Sequence, residues 1–136
     1  MAFAKRLYLI AGIYGVIVLA PQYFMEVQMG HDYPPPITHP EFFYGFVGTA
    51  LAFQILFLIV ARDPLRYRAM MVPSVLEKAG FGIASVVLFM QQRTSAMTLG
   101  FGTVDLILGV LFAVAYIRTG SEGRGSQRLK ALPLRS

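Results

Sequence analysis

Four long stretches almost free of charge constrain what this chain can fold into more than any other feature of its sequence. The stretches are residues 7–25, 42–61, 70–90 and 97–117. A helix rises 1.5 Å per residue, so about 20 apolar residues cross the hydrocarbon core of a bilayer. The first two stretches carry no charge, the last carries Asp105 alone, and the third carries Glu77 and Lys78. The pattern predicts an all-α fold, an integral membrane four-helix bundle, with a re-entrant or interfacial third segment as the alternative.

The composition agrees with a membrane protein and excludes several other classes. Of the 136 residues, 56% are hydrophobic and 14% are charged, and the mean hydropathy is +0.59. Disordered chains combine low hydrophobicity with high net charge, and ordinary soluble domains carry about 25% charged residues. Cysteine is absent, which excludes disulfides, thiolate zinc sites and thiol catalysis.

The placement of the basic residues predicts the direction of the bundle. Of the 12 lysines and arginines, all except Lys78 and Arg93 fall in three places: the N-terminal segment, the link between the second and third stretches, and the tail. Cytoplasmic segments carry the excess of Lys and Arg, so both termini are expected to be cytoplasmic. The net charge of +5 is then a topology signal. The expected partners are the lipid bilayer and other membrane subunits or a second copy, and not nucleic acid.

The connections suggest how the chain is organised. We expect a four-helix transmembrane domain over residues 1–118 and a disordered basic cytoplasmic tail over residues 119–136, which is rich in Gly, Ser and Arg. The short links 62–69 and 91–96 predict antiparallel neighbours on either side of each. Pro21 disfavours cleavage of the first stretch as a signal peptide, so we expect that stretch to be retained.

Asp105 is the first candidate for a functional residue. It lies about eight residues from the outer end of its stretch, or roughly 12 Å deep. Burying a carboxylate there costs a few kcal/mol, and such acids commonly mark proton, ion or ligand sites. A partner on another helix, such as Gln54 or a tyrosine, or the nearby Thr103, would instead make Asp105 an interhelical hydrogen-bonding group that fixes helix register.

Glu77 and Lys78 are expected to act separately. Adjacent helical residues face about 100° apart, so the two side chains are not expected to pair well with each other. Lys78 can extend back to the basic end of its helix. Glu77 is expected to form an ion pair with an arginine of the link between the second and third stretches, although a ligand or ion site remains the alternative. The arginines of that link are candidates for binding lipid phosphate: they are Arg62, Arg66 and Arg68.

The long outer loop holds the two histidines. His31, His39 and Glu41 offer a weak hypothesis of a metal site, and axial haem ligation by a histidine is weaker still. The spacing of these residues matches no metal-ligand motif, so no cofactor is predicted, and a solvated polar loop is the simpler interpretation. Thr38 and Glu41 also fit a capping box, in which Thr38 is the N-cap of the second helix.

Two segments resemble small uncharacterised bacterial four-helix membrane proteins. The segments are Thr38-His39-Pro40-Glu41-Phe42-Phe43-Tyr44-Gly45-Phe46 and Arg62-Asp63-Pro64-Leu65-Arg66-Tyr67-Arg68. The general layout is also similar to DoxX-like proteins and to the sterol-isomerase-like EXPERA group. The resemblance implies a multi-pass protein of a bacterial cytoplasmic membrane and brings no activity with it, so no catalytic residue is carried over.

Three functions fit the sequence. The first is a non-enzymatic membrane module, either an accessory subunit of a larger complex or a homo-oligomer, which needs only helix-packing faces. The second is a binder or carrier of a small hydrophobic molecule or ion, with Asp105 as its polar anchor. The third is an outer-face enzyme or a metal or haem site at His31, His39 and Glu41. No nucleophile–base pair or phosphate loop is visible, which favours the non-enzymatic interpretations.

Overall fold

The structure is a computed structural model that describes residues 1–130 of the chain, and over this range it is helical without strands. The α-helices are α1 (Ala2–Leu19), α2 (Glu26–Asp32), α3 (Pro40–Arg62), α4 (Met71–Met90) and α5 (Ala96–Lys130). Short 3₁₀ turns extend α1 to Phe24 and precede α4 from Arg68. Among the described residues, four helical segments are long and apolar enough to cross a membrane. They are Ala2–Phe24, Pro40–Arg62, Arg68–Met90 and Ala96–Gly125.

The bundle is built from two antiparallel hairpins. Helix α1 packs along α3, and α4 packs along α5, whereas α3 and α4 touch at few places although a short link joins them. The prediction of neighbouring helices is therefore confirmed for α4 and α5. The first hairpin instead consists of α1 and α3, the helices on either side of the longer loop, and not of α3 and α4. The link between α3 and α4 lies at the same end as both termini, which we call the basic end, and the opposite end is the loop end.

Glycines let the helices within each hairpin approach closely. A Cβ atom at Gly12 of α1 would lie 2.7 Å from Leu58 of α3, and one at Gly15 would overlap the side-chain amide of Gln54. In the second hairpin, a Cβ at Gly82 would lie 2.6 Å from Leu106. Small residues at such contacts replace the hydrophobic drive that helices lack in lipid. The α1 contact therefore also fixes the position of the Gln54 side chain.

An aromatic core joins the two hairpins toward the basic end. Tyr8 stacks on Phe112 with a centroid distance of 4.2 Å, and Phe57 meets Phe112 edge to face at 4.9 Å. All three side chains are fully buried, as is Met71 at the start of α4. Aromatic pairs in these geometries contribute about 0.5–1.5 kcal/mol beyond area burial. The hairpins are consequently held together at this end.

Further contacts tie the basic end and extend α5. The guanidinium of Arg68 lies 3.8 Å from the ring centroid of Tyr116 and its Nε donates to the Tyr116 carbonyl at 3.0 Å. The amino group of Met1 pairs with Glu122, and Thr119 is buried. Helix α5 continues to Lys130, past the expected start of the tail at residue 119, and the disorder expected of that tail stays a prediction. Residues 131–136 lie outside the described residues.

The loop end is more ordered than its composition suggests. Residues Glu26–Asp32 form α2, and the Tyr44 hydroxyl of α3 donates to Glu26 Oε2 at 2.8 Å. The capping-box prediction is wrong, since His39 and not Thr38 is the N-cap of α3, without a side-chain cap. Pro40 occupies the first turn instead, where its missing N–H leaves no donor unsatisfied. The side chain of Glu41 contacts His39 instead, with 3.2 Å between Glu41 Oε1 and His39 Nδ1.

Candidate functional site

Two acids and one lysine form a charged cluster within the second hairpin. Lys78 Nζ donates to Asp105 Oδ1 at 3.0 Å. It also lies 3.3 Å from Glu77 Oε2 and donates to Glu77 Oε1 at 3.5 Å. The side chains are 7%, 15% and 14% exposed for Lys78, Glu77 and Asp105 respectively. These three groups, which we call the charged cluster, lie well inside two helices that are apolar enough to span a membrane.

The direction of Lys78 follows from the helix opposite. Asp105 and Gly109 lie four residues apart and therefore on one face of α5. A Cβ atom at Gly109 would lie 3.3 Å from the Cβ of Lys78, so the glycine leaves room for the stem of the lysine. The ammonium group then reaches Asp105, which lies one turn before Gly109, toward the N-terminus of α5. It also lies 5.5 Å from the ring centroid of Phe57, where the ring face attracts a cation.

Three predictions about this cluster are wrong. Lys78 points to Asp105 and not to the basic end, Glu77 pairs with no arginine among the described residues, and Glu77 and Lys78 do meet. In apolar surroundings an ammonium next to a carboxylate is far better stabilised than it would be alone. The long lysine side chain therefore turns toward the two acids. Its flexibility also overcomes the unfavourable angle between adjacent helical positions.

A cavity of about 470 Å³ lies beside the charged cluster, between the two hairpins. Its wall is mostly apolar and includes five aromatic side chains, three methionines and several polar groups, among them the charged cluster. The lining residues are Tyr14, Gly15, Val18, Leu19, Gln22, Met25, Met29, Tyr33, Phe46, Ala50, Gln54, Glu77, Lys78, Phe81, Met97, Thr98, Phe101 and Asp105. The lining residues come from both hairpins and extend to the loop end, and none of the three rings of the aromatic core is among them.

Gln54 places an unpaired acceptor beside this cavity. The residue is 1% exposed, and its Nε2 donates to the Ala50 carbonyl at 2.9 Å. Its Oε1 has no hydrogen-bond partner among the described residues. Gln54 was expected as a partner for Asp105, which Lys78 occupies instead, and Thr103 donates to its own helix at Leu99. The structure therefore brings Gln54 to the same cavity as Asp105 without an observed hydrogen bond between them.

The segment before α3 covers part of the cavity at the loop end. Met25, Met29 and Tyr33 line the cavity from α2 and its flanking residues. The Glu26–Tyr44 hydrogen bond, at 2.8 Å, ties this segment to α3. Methionine is flexible and polarisable and so adapts to irregular apolar shapes. The short helix therefore forms an adaptable apolar wall.

The remaining predicted site residues lie apart from the cavity. His31 contacts Asp32 and His39 contacts Glu41, both at 3.2 Å and all four exposed. In the part of the chain that the structure describes, no group of three His, Asp or Glu side chains is arranged to hold a metal. Arg62 and Arg66 are exposed at the basic end, where they remain candidates for lipid phosphate. Arg68 is instead engaged by Tyr116.

Sequence reasoning missed Lys78 as a member of the site, and one signal points to it. Lys78 lies about 12 residues before the turn that joins α4 to α5, and Asp105 lies about 10 residues after it, so an antiparallel hairpin brings them to similar depth. Opposite charges at matched depth in adjacent apolar stretches predict a pair. No comparable signal predicts the cavity, since it depends on how the two hairpins diverge.

We compared the chain with known protein families, curated proteins and solved structures. No protein-family model, curated protein or solved structure matches the chain. The interpretation of the site therefore rests on its own geometry and chemistry.

Proposed function

We propose that this chain is a multi-pass protein of a bacterial cytoplasmic membrane that binds a small amphipathic molecule in the cavity between its two hairpins. The observation that carries the proposal is the cavity itself, with an apolar wall and a buried polar side formed by Gln54 and the charged cluster. Ligand sites typically combine a mostly apolar concave wall with a small number of placed polar groups. The volume of about 470 Å³ falls in the range of such sites.

The charged cluster favours binding over a purely structural role. A packing module needs only the glycine contacts and the aromatic core, and replacing a buried ion pair by apolar residues is often neutral or stabilising. The cluster instead lies against open space, where its groups can meet a ligand. Association with other membrane subunits or with a second copy stays a prediction, and it does not require the side chains of the charged cluster.

The basic residues support an orientation with the basic end and both termini in the cytoplasm. Lys5, Arg6 and Arg118 are exposed at this end together with Arg62 and Arg66. Arg93 lies at the loop end. The cavity then lies toward the outer leaflet, and its ligand enters from that leaflet or from the outer surface.

A pair of matched substitutions on α3 tests the proposed function. Ala50 is buried and lines the cavity, whereas Ala52 lies two residues away on the same helix and is exposed. Ala50→Phe should fill the cavity, and Ala52→Phe should add the same ring to the lipid-facing surface. We expect native mass spectrometry to detect a small amphipathic molecule retained by the wild type and by Ala52→Phe, but not by Ala50→Phe.

Equal retention by all three proteins, with Ala50→Phe folded, would contradict the proposal. The proposal would also be contradicted if the wild-type protein, released directly from its native membrane without detergent exchange, carried no bound molecule.

A further inference from the structure

The polar side of the cavity also indicates the chemistry of the ligand. We infer that the cavity selects an amphiphile whose head group is a cationic hydrogen-bond donor, such as a primary ammonium on an apolar chain. This inference rests on the proposed function. Glu77 and Gln54 are the residues that receive this head group. The inference follows from the acceptors that the protein leaves unpaired, from the charge of the cluster, and from the shape of its surroundings.

The unpaired groups at the cavity are acceptors. Gln54 Oε1 is buried and has no hydrogen-bond partner among the described residues. Glu77 Oε2 is buried and accepts no hydrogen bond there either, although it lies 3.3 Å from Lys78 Nζ within the ion pair. Both residues line the cavity. A buried acceptor without a donor carries a desolvation penalty, which is larger if the acceptor is charged. A ligand that donates hydrogen bonds removes this penalty, whereas one that only accepts does not.

The charge of the cluster distinguishes a cationic donor from a neutral one. Lys78 supplies one positive charge against the two carboxylates of Glu77 and Asp105, which leaves a formal excess of one negative charge. Among the described lining residues, Lys78 is the only basic one. Its shorter contact is with Asp105, at 3.0 Å, and its contacts with the two Glu77 oxygens are 3.3 and 3.5 Å long. Glu77 is therefore the carboxylate that is less fully neutralised by the protein.

The surroundings of Glu77 suit an ammonium group attached to an apolar body. Phe46 and Phe81, whose ring centroids lie 5.8 Å apart, line the cavity together with Glu77 and Ala50. Aromatic faces attract cations, and a carboxylate forms a charge-assisted hydrogen bond with an ammonium. The rest of the wall is mostly apolar and carries no other charged side chain among the described lining residues, so it accommodates a hydrocarbon chain.

Three probes with the same chain separate the head-group chemistry from simple apolar binding. Decylamine, decanol and decanoate are titrated against the full-length protein in nanodiscs of zwitterionic phosphatidylcholine, and saturable binding is measured with radiolabelled probe. Proteins compared are the wild type, Glu77→Gln, Gln54→Leu, and Glu41→Gln as a control. Glu41→Gln removes the same charge from an exposed carboxylate at the loop end that does not line the cavity. Partitioning of a given probe into the lipid is the same for every protein and cancels between proteins, and binding to empty nanodiscs corrects for the different partitioning of the three probes.

We expect the wild type and Glu41→Gln to prefer decylamine over decanol by at least about tenfold, the effect of one charge-assisted hydrogen bond. Glu77→Gln should lose this preference while still binding decanol. Gln54→Leu should weaken decylamine and decanol alike, because each donates to Oε1. Lys78→Gln, if folded, should increase the preference for decylamine because it removes the competing cation.

The possible results distinguish a failure of this inference from a failure of the proposed function. Equal binding of decylamine and decanol by the wild type, or an unchanged preference in Glu77→Gln, would overturn the inference and leave the cavity as a binding site. Saturable binding that favours decanoate would also overturn it. Absence of saturable binding for all three probes would overturn the proposed function itself.

Discussion

Gly109 of α5 lies directly against the stem of Lys78 of α4, so that a Cβ atom at position 109 would be 3.3 Å from the Cβ of the lysine. This contact brings the ammonium group within 3.0 Å of Asp105. A helix position without a side chain thus permits an ion pair between two apolar helices. The relationship leads to the first of four predictions.

Gly109→Val should separate α4 from α5 and displace Lys78 from Asp105. Overpacking a close contact costs about 1–3 kcal/mol, and we expect a loss of this size in the free energy of unfolding. Gly80→Val is the matched control, because a Cβ atom at Gly80 meets nothing within 4 Å. The measurement is reversible unfolding in mixed micelles, followed by far-ultraviolet circular dichroism. Equal losses in both variants would show that the helix interior, and not the contact with Lys78, determines the effect.

Asp105→Leu should destabilise the protein strongly, because it leaves Lys78 with only the longer contact to Glu77. Breaking a buried pair by removing one partner costs about 3–5 kcal/mol, whereas replacing both partners is often nearly neutral. We therefore expect Lys78→Met to rescue part of the loss in the double variant. Additive losses from the two substitutions, in the same unfolding measurement, would mean that the pair is not coupled.

Arg68→Ala should loosen the basic end. The substitution removes a hydrogen bond of 3.0 Å to the Tyr116 carbonyl and a cation–π contact of 3.8 Å. Because Arg68 is half-buried, we expect a loss of about 1–2 kcal/mol, below the full value of a charged hydrogen bond plus a cation–π contact. Arg62→Ala, at an exposed position of the same end, should change stability by less than about 0.5 kcal/mol. Faster hydrogen exchange of residues 116–123 in Arg68→Ala alone would support the assignment, and equal exchange in both variants would not.

Asp32, which lies in α2 outside the spanning helices, should titrate below the ordinary range. Hydrogen bonds from Gln28 Nε2, at 2.8 Å to each carboxylate oxygen, lower the pKa of Asp32, and His31 lowers it further. A lowered folded-state pKa stabilises the protein above the unfolded-state pKa, and this contribution is lost as the pH falls through the folded-state value. Gln28→Ala should raise the pKa of Asp32 toward its ordinary value in a carboxyl NMR titration. Gln91→Ala, at the other loop, should leave it unchanged, and an unchanged value in Gln28→Ala would exclude the Gln28 hydrogen bonds as the cause.

Most of the architecture could be predicted from the sequence because apolar length is a sufficient signal for a spanning helix. Three of the four predicted stretches lie within the long helical segments, and the first, residues 7–25, extends one residue past the segment that ends at Phe24. The end of α5 could not be predicted from composition, since the Gly- and Arg-rich residues after 118 are held by contacts with Arg68, Leu65 and the N-terminus. These contacts join residues far apart in the chain, and local propensity does not report them.

The site was only partly predictable for a similar reason. The burial of Asp105 between helices follows from its position in an apolar stretch, and the structure gives it a partner on another helix. The identity of that partner did not follow, because the length of the lysine side chain makes several directions possible. The direction is determined by Gly109 on the opposite helix. The unpaired oxygen of Gln54 depends on the close approach of Gly15 and on the divergence of the hairpins, which are properties of the whole assembly.

All three members of the charged cluster belong to the second hairpin, so that hairpin carries its own counterions. A hairpin that contains both a lysine and its counterions can neutralise them as soon as its two helices meet. Neutralisation therefore requires no group from the first hairpin. The cavity beside Glu77 and Gln54, in contrast, is lined by residues of both hairpins. Formation of the ion pairs and formation of the cavity are thus separable events, because the first needs one hairpin and the second needs both.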